Sequence, residues 1–145
     1  MNCYIHVPFC AVKCGYCAFY SEAGADPSWH DRFLDHLERQ LAEADLPELT
    51  TLYLGGGTPT LLDAARLRRL AEMLEKHLRF ADGAERSIEA NPETLTAEKV
   101  DVLQGFFTRI SVGIQSFNAE SRRRIGRKCG DQATISTRRS ARTGS

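Results

Sequence analysis

The feature that most constrains this chain is an alternation. A short apolar run, a loop rich in glycine or polar residues, and a stretch with helical periodicity follow one another repeatedly up to about residue 128. Tyr4 to Phe9 reads as a first strand, with Pro8 near its end. Asp26-Pro27 then supplies a helix cap and a proline at the first helical position, and Phe33, Leu34, Leu37 and Leu41 recur at helical spacing. Thr51 to Leu54 is a second strand, followed by a helix striped with Leu67, Leu70, Leu74 and Leu78. Arg86 to Ala90 is a third strand, and Thr96 caps a helix with Val100, Leu103 and Phe107 inward. Arg109 to Ile114 is a fourth, after which Asn118 is placed to cap one more helix. Short strands joined through amphipathic helices pair in parallel through right-handed crossovers, so the class is α/β with a parallel sheet. In such folds ligands bind at the carboxyl ends of the strands. Every glycine-rich, polar or cysteine-bearing loop here follows a strand, so four loops are expected on one edge.

The first of those loops holds Cys10, Cys14 and Cys17, three thiols within eight residues. Thiolates are the ligands of iron-sulfur clusters. Three protein ligands would leave one iron open to a reactant, as a catalytic zinc keeps one position free. Phe9, Tyr16, Phe19 and Tyr20 flank the cysteines and suit an apolar shell that limits solvent access. A structural zinc or a disulfide are the plainer readings. Zinc would want a fourth ligand from a second CxxC or HxxxH pair, and neither pattern is present. Cys3 precedes a strand-like run, and Cys129 falls in a segment with no periodicity.

Composition narrows the partners. Lys plus Arg number 19 and Asp plus Glu number 19, so the formal charge is zero and the chain has no electrostatic footprint for nucleic acid or an anionic membrane. No apolar run approaches the roughly 20 residues of a membrane span. Five cysteines, an odd count, with no export signal at Met1-Asn2-Cys3, predict reduced thiols in the cytoplasm. A chain of 145 residues supports one core, and its expected partner is a small molecule. His30, His36 and His77 fall among charged residues on the helices and are expected to be solvated. His6 shares a strand face with Tyr4 and reads more readily as a hydrogen-bonded core histidine than as a functional one.

Five ordered motifs then come together. Tyr4-Ile-His-Val-Pro-Phe-Cys10, Cys14-Gly-Tyr-Cys17-Ala-Phe-Tyr20, Leu54-Gly-Gly-Gly-Thr-Pro-Thr60, Ser87-Ile-Glu-Ala-Asn-Pro92 and Ile110-Ser-Val-Gly-Ile-Gln-Ser-Phe117 resemble the oxygen-independent coproporphyrinogen III oxidase family of radical S-adenosylmethionine (SAM) proteins. The resemblance implies a 4Fe-4S cluster on Cys10, Cys14 and Cys17, with the amino and carboxylate groups of SAM on the open iron. One electron from an external donor such as flavodoxin would pass through the cluster and cleave SAM to methionine and a 5'-deoxyadenosyl radical. The residues that resemble the family's SAM contacts are Tyr4, Tyr16, Gly56, Gly57, Thr58, Glu89, Gln115 and Arg127. The plainer alternatives are a turn into a helix for the glycine stretch and a solvated strand end for Glu89; a P-loop is excluded because no Gly-Lys-Ser/Thr follows.

Two departures from the family pattern bear on function. The decarboxylating members carry a fourth cysteine two residues after the third, where this chain has Phe19. That substitution resembles the branch regarded as heme chaperones, so heme or a porphyrinogen is the implied partner and heme a further ligand; propionate decarboxylation is the alternative. The second departure is length. A radical SAM barrel has six strand-helix units and needs roughly 180 to 200 residues, whereas this sequence supplies about four units. Residues 1–128 are therefore expected to form the N-terminal part of an incomplete radical SAM (β/α) barrel. Residues 129–145, rich in Ser, Thr and Arg, are expected to be a disordered or out-of-frame tail. An inactive truncated fragment is the third functional reading.

Overall fold

The computed structural model describes residues 1–116 and 118–124. Its elements are β1 (Asn2–Val7), β2 (Phe9–Cys10), β3 (Glu22–Ala23), α1 (Pro27–Glu43), β4 (Leu49–Gly56), α2 (Ala64–His77), β5 (Phe80–Ala90), α3 (Ala97–Gln104), β6 (Arg109–Val112) and α4 (Ala119–Arg124). Strands β1, β4, β5 and β6 form one parallel sheet in that spatial order, with helical connections between them. Parallel neighbours need such crossovers because the chain must return to the same end of the sheet. Helix α1 packs beside α2 and α2 beside α3. The α/β architecture with four parallel strands is the one the alternation predicts.

Local chemistry sets the helix starts. The Asp26 carboxylate accepts from Ser28 N at 2.8 Å with Pro27 in the first turn, and Thr96 Oγ1 accepts from Lys99 N at 3.3 Å. Asp63, which periodicity alone does not single out, caps α2 by accepting from Arg66 N at 2.8 Å. Asn118 Oδ1 accepts from Ser121 N at 2.9 Å and opens α4.

The sheet has two unlike faces. Register places Tyr4 beside Tyr53, Tyr53 beside Ser87, and Glu89 beside Ser111, all on one face. The intervening residues Ile5, Leu54, Ile88 and Ile110 lie on the other face, where Val7 and Leu52 are also buried. Leu34 of α1, Leu67, Leu70 and Leu74 of α2 and Leu103 of α3 are fully buried in the same core. Each such leucine contributes about 1.5–3 kcal/mol through burial. Sheets of this kind are ordinarily apolar on both faces; here one face is reserved for tyrosine, histidine and carboxylate.

Several boundaries differ from expectation, among them the second strand, which runs two residues further at each end than Thr51 to Leu54. The first strand is broken at Pro8, which lacks the N–H needed to continue a ladder, and Phe9–Cys10 instead pair with Glu22–Ala23. Strand β5 starts at Phe80, well before Arg86; Asp82-Gly83 hides this by interrupting the apolar pattern, and the register shifts between Leu49 and Thr51. Helix α3 ends at Gln104, so Phe107 reaches the core from the following turn. Strand β6 stops at Val112. One histidine also departs from expectation. His30 is buried, with its ring 4.5 Å from that of Phe9 between centroids. Its neighbours in sequence are charged, but its own position in α1 faces inward. His77 is half-buried, while His36 is exposed as expected. The expected tail at 129–145 lies outside the described residues.

Candidate functional site

The end of β4 carries Gly55-Gly56-Gly57-Thr58, and a neighbour stands where each glycine side chain would be. A Cβ on Gly55 would lie 2.9 Å from a Glu89 carboxylate oxygen, and one on Gly56 would lie 2.6 Å from the His6 ring. A Cβ on Gly57 would strike the Phe9 carbonyl. Gly56 also has φ 111°, a conformation that side-chain-bearing residues rarely adopt. This closeness lets Gly57 N donate to Val7 O at 2.8 Å and Thr58 N to Phe9 O at 2.6 Å. The glycine loop is thereby laced to the segment that enters the cysteine loop.

The cysteine loop runs from Cys10 to Glu22. Its ends are pinned by the β2–β3 ladder, by Glu22 N donating to Pro8 O at 2.6 Å and by Gly24 N donating to Cys10 O at 3.2 Å. Within it, Cys17 N donates to Cys14 O at 3.1 Å. Cys10, Cys14 and Cys17 are free thiols and half-buried. Val12, Tyr16, Phe19 and Tyr20 are exposed on the loop surface. A further tether reaches the sheet: the Tyr20 carbonyl can only accept, so His6 donates from Nε2 at 2.8 Å. His6 Nδ1 then accepts from Tyr4 Oη at 3.1 Å. His6 is thus hydrogen-bonded at both ring nitrogens, as expected, but it is half-buried on the polar face and is not a core residue.

Glu89 stands at the centre of the polar face. Tyr53 Oη donates to its Oε1 at 2.7 Å, and Gly56 N donates to its Oε2 at 3.2 Å. The Tyr53 ring also stacks on Tyr4, with centroids 6.1 Å apart and planes 19° apart. Partial burial and then the Glu89 carboxylate push both tyrosine hydroxyls above their ordinary pKa. The loops after β4 and β5 are joined as well. Asn91 Nδ2 donates to Thr58 Oγ1 at 3.0 Å, and the Thr60 and Thr94 hydroxyls lie 2.6 Å apart. Lys99 Nζ donates to the Thr60 and Thr94 carbonyls at 2.8 and 3.1 Å.

A cavity of about 390 Å³ opens between these loops. Cys10, Tyr16 and Cys17 line one side. Gly56, Gly57, Thr58, Glu89 and Gln115 line the rest, so three separate strand-end loops meet the cysteine loop there as the sequence predicts. Gln115 holds a left-handed φ of 67°, the one non-glycine residue to do so among those described. Cys14 and Tyr4 do not line the cavity; Tyr4 stands beside it, stacked on Tyr53. Arg127 lies outside the described residues. Phe19, Ala90, Asn91, Ser111 and Gly113 complete the lining; the last four lie in the motifs around Glu89 and Gln115, although the sequence does not single them out as contacts. Tyr53 was legible only through its strand register with Tyr4. Among the described residues no three Cys, His, Asp or Glu side chains converge at metal-binding distance. In donor chemistry the site nonetheless fits a thiolate-held group, because free thiols and a glycine-lined cradle face one space.

Residues 4–142 match the radical SAM superfamily. The chain belongs to that family. The cofactors that go with radical SAM membership are a 4Fe-4S cluster and SAM. Among curated relatives, the heme chaperone HemW of Escherichia coli is 39% identical over 137 residues, which cover 91% of this chain and 36% of that protein. The HemW of Mycobacterium tuberculosis is 42% identical over 120 residues, 78% of this chain and 31% of its own length. The oxygen-independent coproporphyrinogen III oxidase of E. coli is 34% identical over 133 residues, covering 88% and 29%. The solved structure of coproporphyrinogen III oxidase (HemN) from E. coli, a radical SAM enzyme, superposes with a TM-score of 0.84 at 32% identity, over 93% of this chain and 32% of that one. The chain spans about a third of the length of the relatives it matches. No described helix is long and apolar enough to cross a membrane.

Proposed function

We propose that this chain carries the cluster- and SAM-binding part of a radical SAM protein that handles heme in the manner of a chaperone. The observation that carries the proposal is the shared cavity: Cys10 and Cys17 face Gly56, Gly57, Thr58, Glu89 and Gln115 across it. Cys10, Cys14 and Cys17 would hold a 4Fe-4S cluster, with Cys14 drawn toward the other two on loading. When bound, such a cluster supplies the single electron that cleaves SAM. Glu89 would accept from the amino group or a ribose hydroxyl of SAM, and the backbone at Gly56 and Gly57 admits close approach of the ligand. Tyr4, Tyr16, Gln115 and Arg127 are the further contacts we assign. Tyr16 and Phe19 line the cysteine side of the cavity.

Phe19 favours heme handling over oxidation. It lines the cavity at the position where decarboxylating members of the family carry a fourth cysteine, so this chain lacks that thiol. The HemW relatives support the same reading. The fold likeness to the oxidase supports propionate decarboxylation of coproporphyrinogen as the second reading. Free half-buried thiols suit a reducing cytoplasm, where we place the protein, with heme or a porphyrinogen and an electron donor of the flavodoxin kind as partners.

The test is anaerobic reconstitution with iron and sulfide, electron paramagnetic resonance of the reduced protein with and without SAM, then heme titration and an assay for decarboxylated porphyrinogen. A cluster signal perturbed by SAM, heme binding and no decarboxylated product are expected. Decarboxylated product would establish the second reading. Absence of any cluster signal would overturn both and make this chain an inactive fragment.

A further inference from the structure

The geometry points to Tyr53 as a positioning residue for SAM, one that fixes the Glu89 carboxylate and supports the Tyr4 ring from a single place in β4. Resting on the reading of Glu89 and Tyr4 as SAM contacts, the assignment adds a residue that belongs to none of the loop motifs.

An ionised carboxylate offers about four lone-pair sites on two oxygens. In Glu89 each oxygen already has one protein donor, Tyr53 Oη at 2.7 Å on Oε1 and Gly56 N at 3.2 Å on Oε2. One anchor per oxygen fixes the carboxylate plane and leaves one acceptor direction on each oxygen for a ligand. A single anchor would leave the group free to rotate about its last torsion, which is a broad, two-fold well. Gly55 completes the arrangement. A Cβ there would come within 2.9 Å of both Glu89 Oε2 and the Tyr53 ring, so the bare backbone is what lets the two side chains meet over β4.

The other edge of Tyr53 bears on Tyr4. The rings are nearly parallel, 6.1 Å apart between centroids, and Tyr4 is more than half exposed. Tyr4 Oη is committed as donor to His6 Nδ1 at 3.1 Å. Without the Tyr53 ring beneath it, Tyr4 would keep that one bond and lose its flat support. Tyr53 therefore acts on two cavity-side groups by two different means, its hydroxyl on Glu89 and its ring on Tyr4. Replacing it with phenylalanine separates them, since the ring stays and the hydroxyl goes.

The experiment measures equilibrium binding of SAM to the full chain, anaerobically loaded with iron and sulfide, in wild type, Tyr53→Phe, Glu89→Gln and the double variant. A hydrogen bond to a charged group is strong enough that its loss should weaken binding about tenfold in Tyr53→Phe. Glu89→Gln should weaken binding at least as much. If Tyr53 acts through Glu89, the loss caused by Tyr53→Phe shrinks in the Glu89→Gln background, because the remaining amide oxygen takes only a neutral hydrogen bond from the hydroxyl and no longer presents a charge to the ligand. A merely structural contribution would instead add its loss in both backgrounds and lower the unfolding midpoint. Wild-type affinity in Tyr53→Phe, or an undiminished loss in the Glu89→Gln background, overturns the positioning role. Wild-type affinity in Glu89→Gln, or no SAM binding by the wild type, overturns the underlying reading of the site, and the inference with it.

Discussion

Lys99→Met is the substitution whose effect follows most directly from described contacts. The Lys99 ammonium is half-buried and donates to the carbonyls of Thr60 and Thr94, so one cation ties the loop after β4 to the loop after β5. Methionine keeps nearly the same stem and fills the same space while removing every donor. Bonds from a charged donor are worth about 1.5–3 kcal/mol each when well buried. Partial exposure reduces that roughly by half, and relief from holding a cation out of water offsets some of the remainder, leaving a net loss of about 1–2 kcal/mol. Burial holds the Lys99 pKa below its ordinary value, which is the signature of that offset. For a chain of this size the loss lowers the thermal midpoint by about 5 °C. Far-UV circular dichroism during thermal and urea unfolding measures it, and the urea slope should stay unchanged because the same surface unfolds. A Lys99→Met variant as stable as the wild type would refute the reasoning. It would show that desolvating the ammonium cancels its two hydrogen bonds, as happens when buried ion pairs are exchanged for apolar groups.

Burial, and after it the Arg66 guanidinium, hold His30 below the usual imidazole pKa of 6.5. The unfolded chain then binds the proton more tightly than the folded one, so stability falls as pH drops below about 6.5 and levels off beneath the folded-state value; in His30→Leu this part of the pH–stability profile should flatten. Gly57→Ala places a methyl against the Phe9 carbonyl and should destabilise by about 1–3 kcal/mol, read by urea unfolding; an unchanged midpoint would mean that the loop relaxes freely. After anaerobic reconstitution, Cys14→Ala should lose bound iron while Cys3→Ala keeps it. Cys3 sits in β1 paired with Leu52, and burial pushes its thiol up, away from the ionised form that metals need. Equal iron loss from both variants would remove the ligand assignment.

The class, the parallel pairing and the convergence of loops were legible because each helix has a clean apolar stripe and each loop a distinctive composition. Leu67, Leu70 and Leu74 are buried as their spacing requires, and Cys10, Cys17, Gly56 and Glu89 meet in one cavity. The missed features depend on partners distant in sequence. His30 looks solvated beside Asp31 and Arg32, but it continues the buried stripe of Leu34, Leu37 and Leu41 in α1 and packs against Phe9. Tyr53 is an ordinary strand residue until register sets it between Tyr4 and Ser87. Lys99 reads as a surface charge at the start of a helix until the Thr60 carbonyl comes to meet it. The division of the sheet into an apolar and a polar face was hidden for the same reason, since it depends on which strands lie side by side and in what register.

The small ladder of Phe9–Cys10 with Glu22–Ala23 has a consequence for the order of events in assembly. A chelating loop with free ends must give up its closure entropy when it takes metal. This loop is already closed by backbone bonds at Pro8, Cys10, Glu22 and Gly24, and only residues 11–21 remain to rearrange around an incoming cluster. In a zinc finger the metal and the fold arrive together; here backbone bonds alone hold the ends of the loop, which predicts that loading is a local event. Stripping the metal should therefore leave a folded apoprotein, ready to be loaded again.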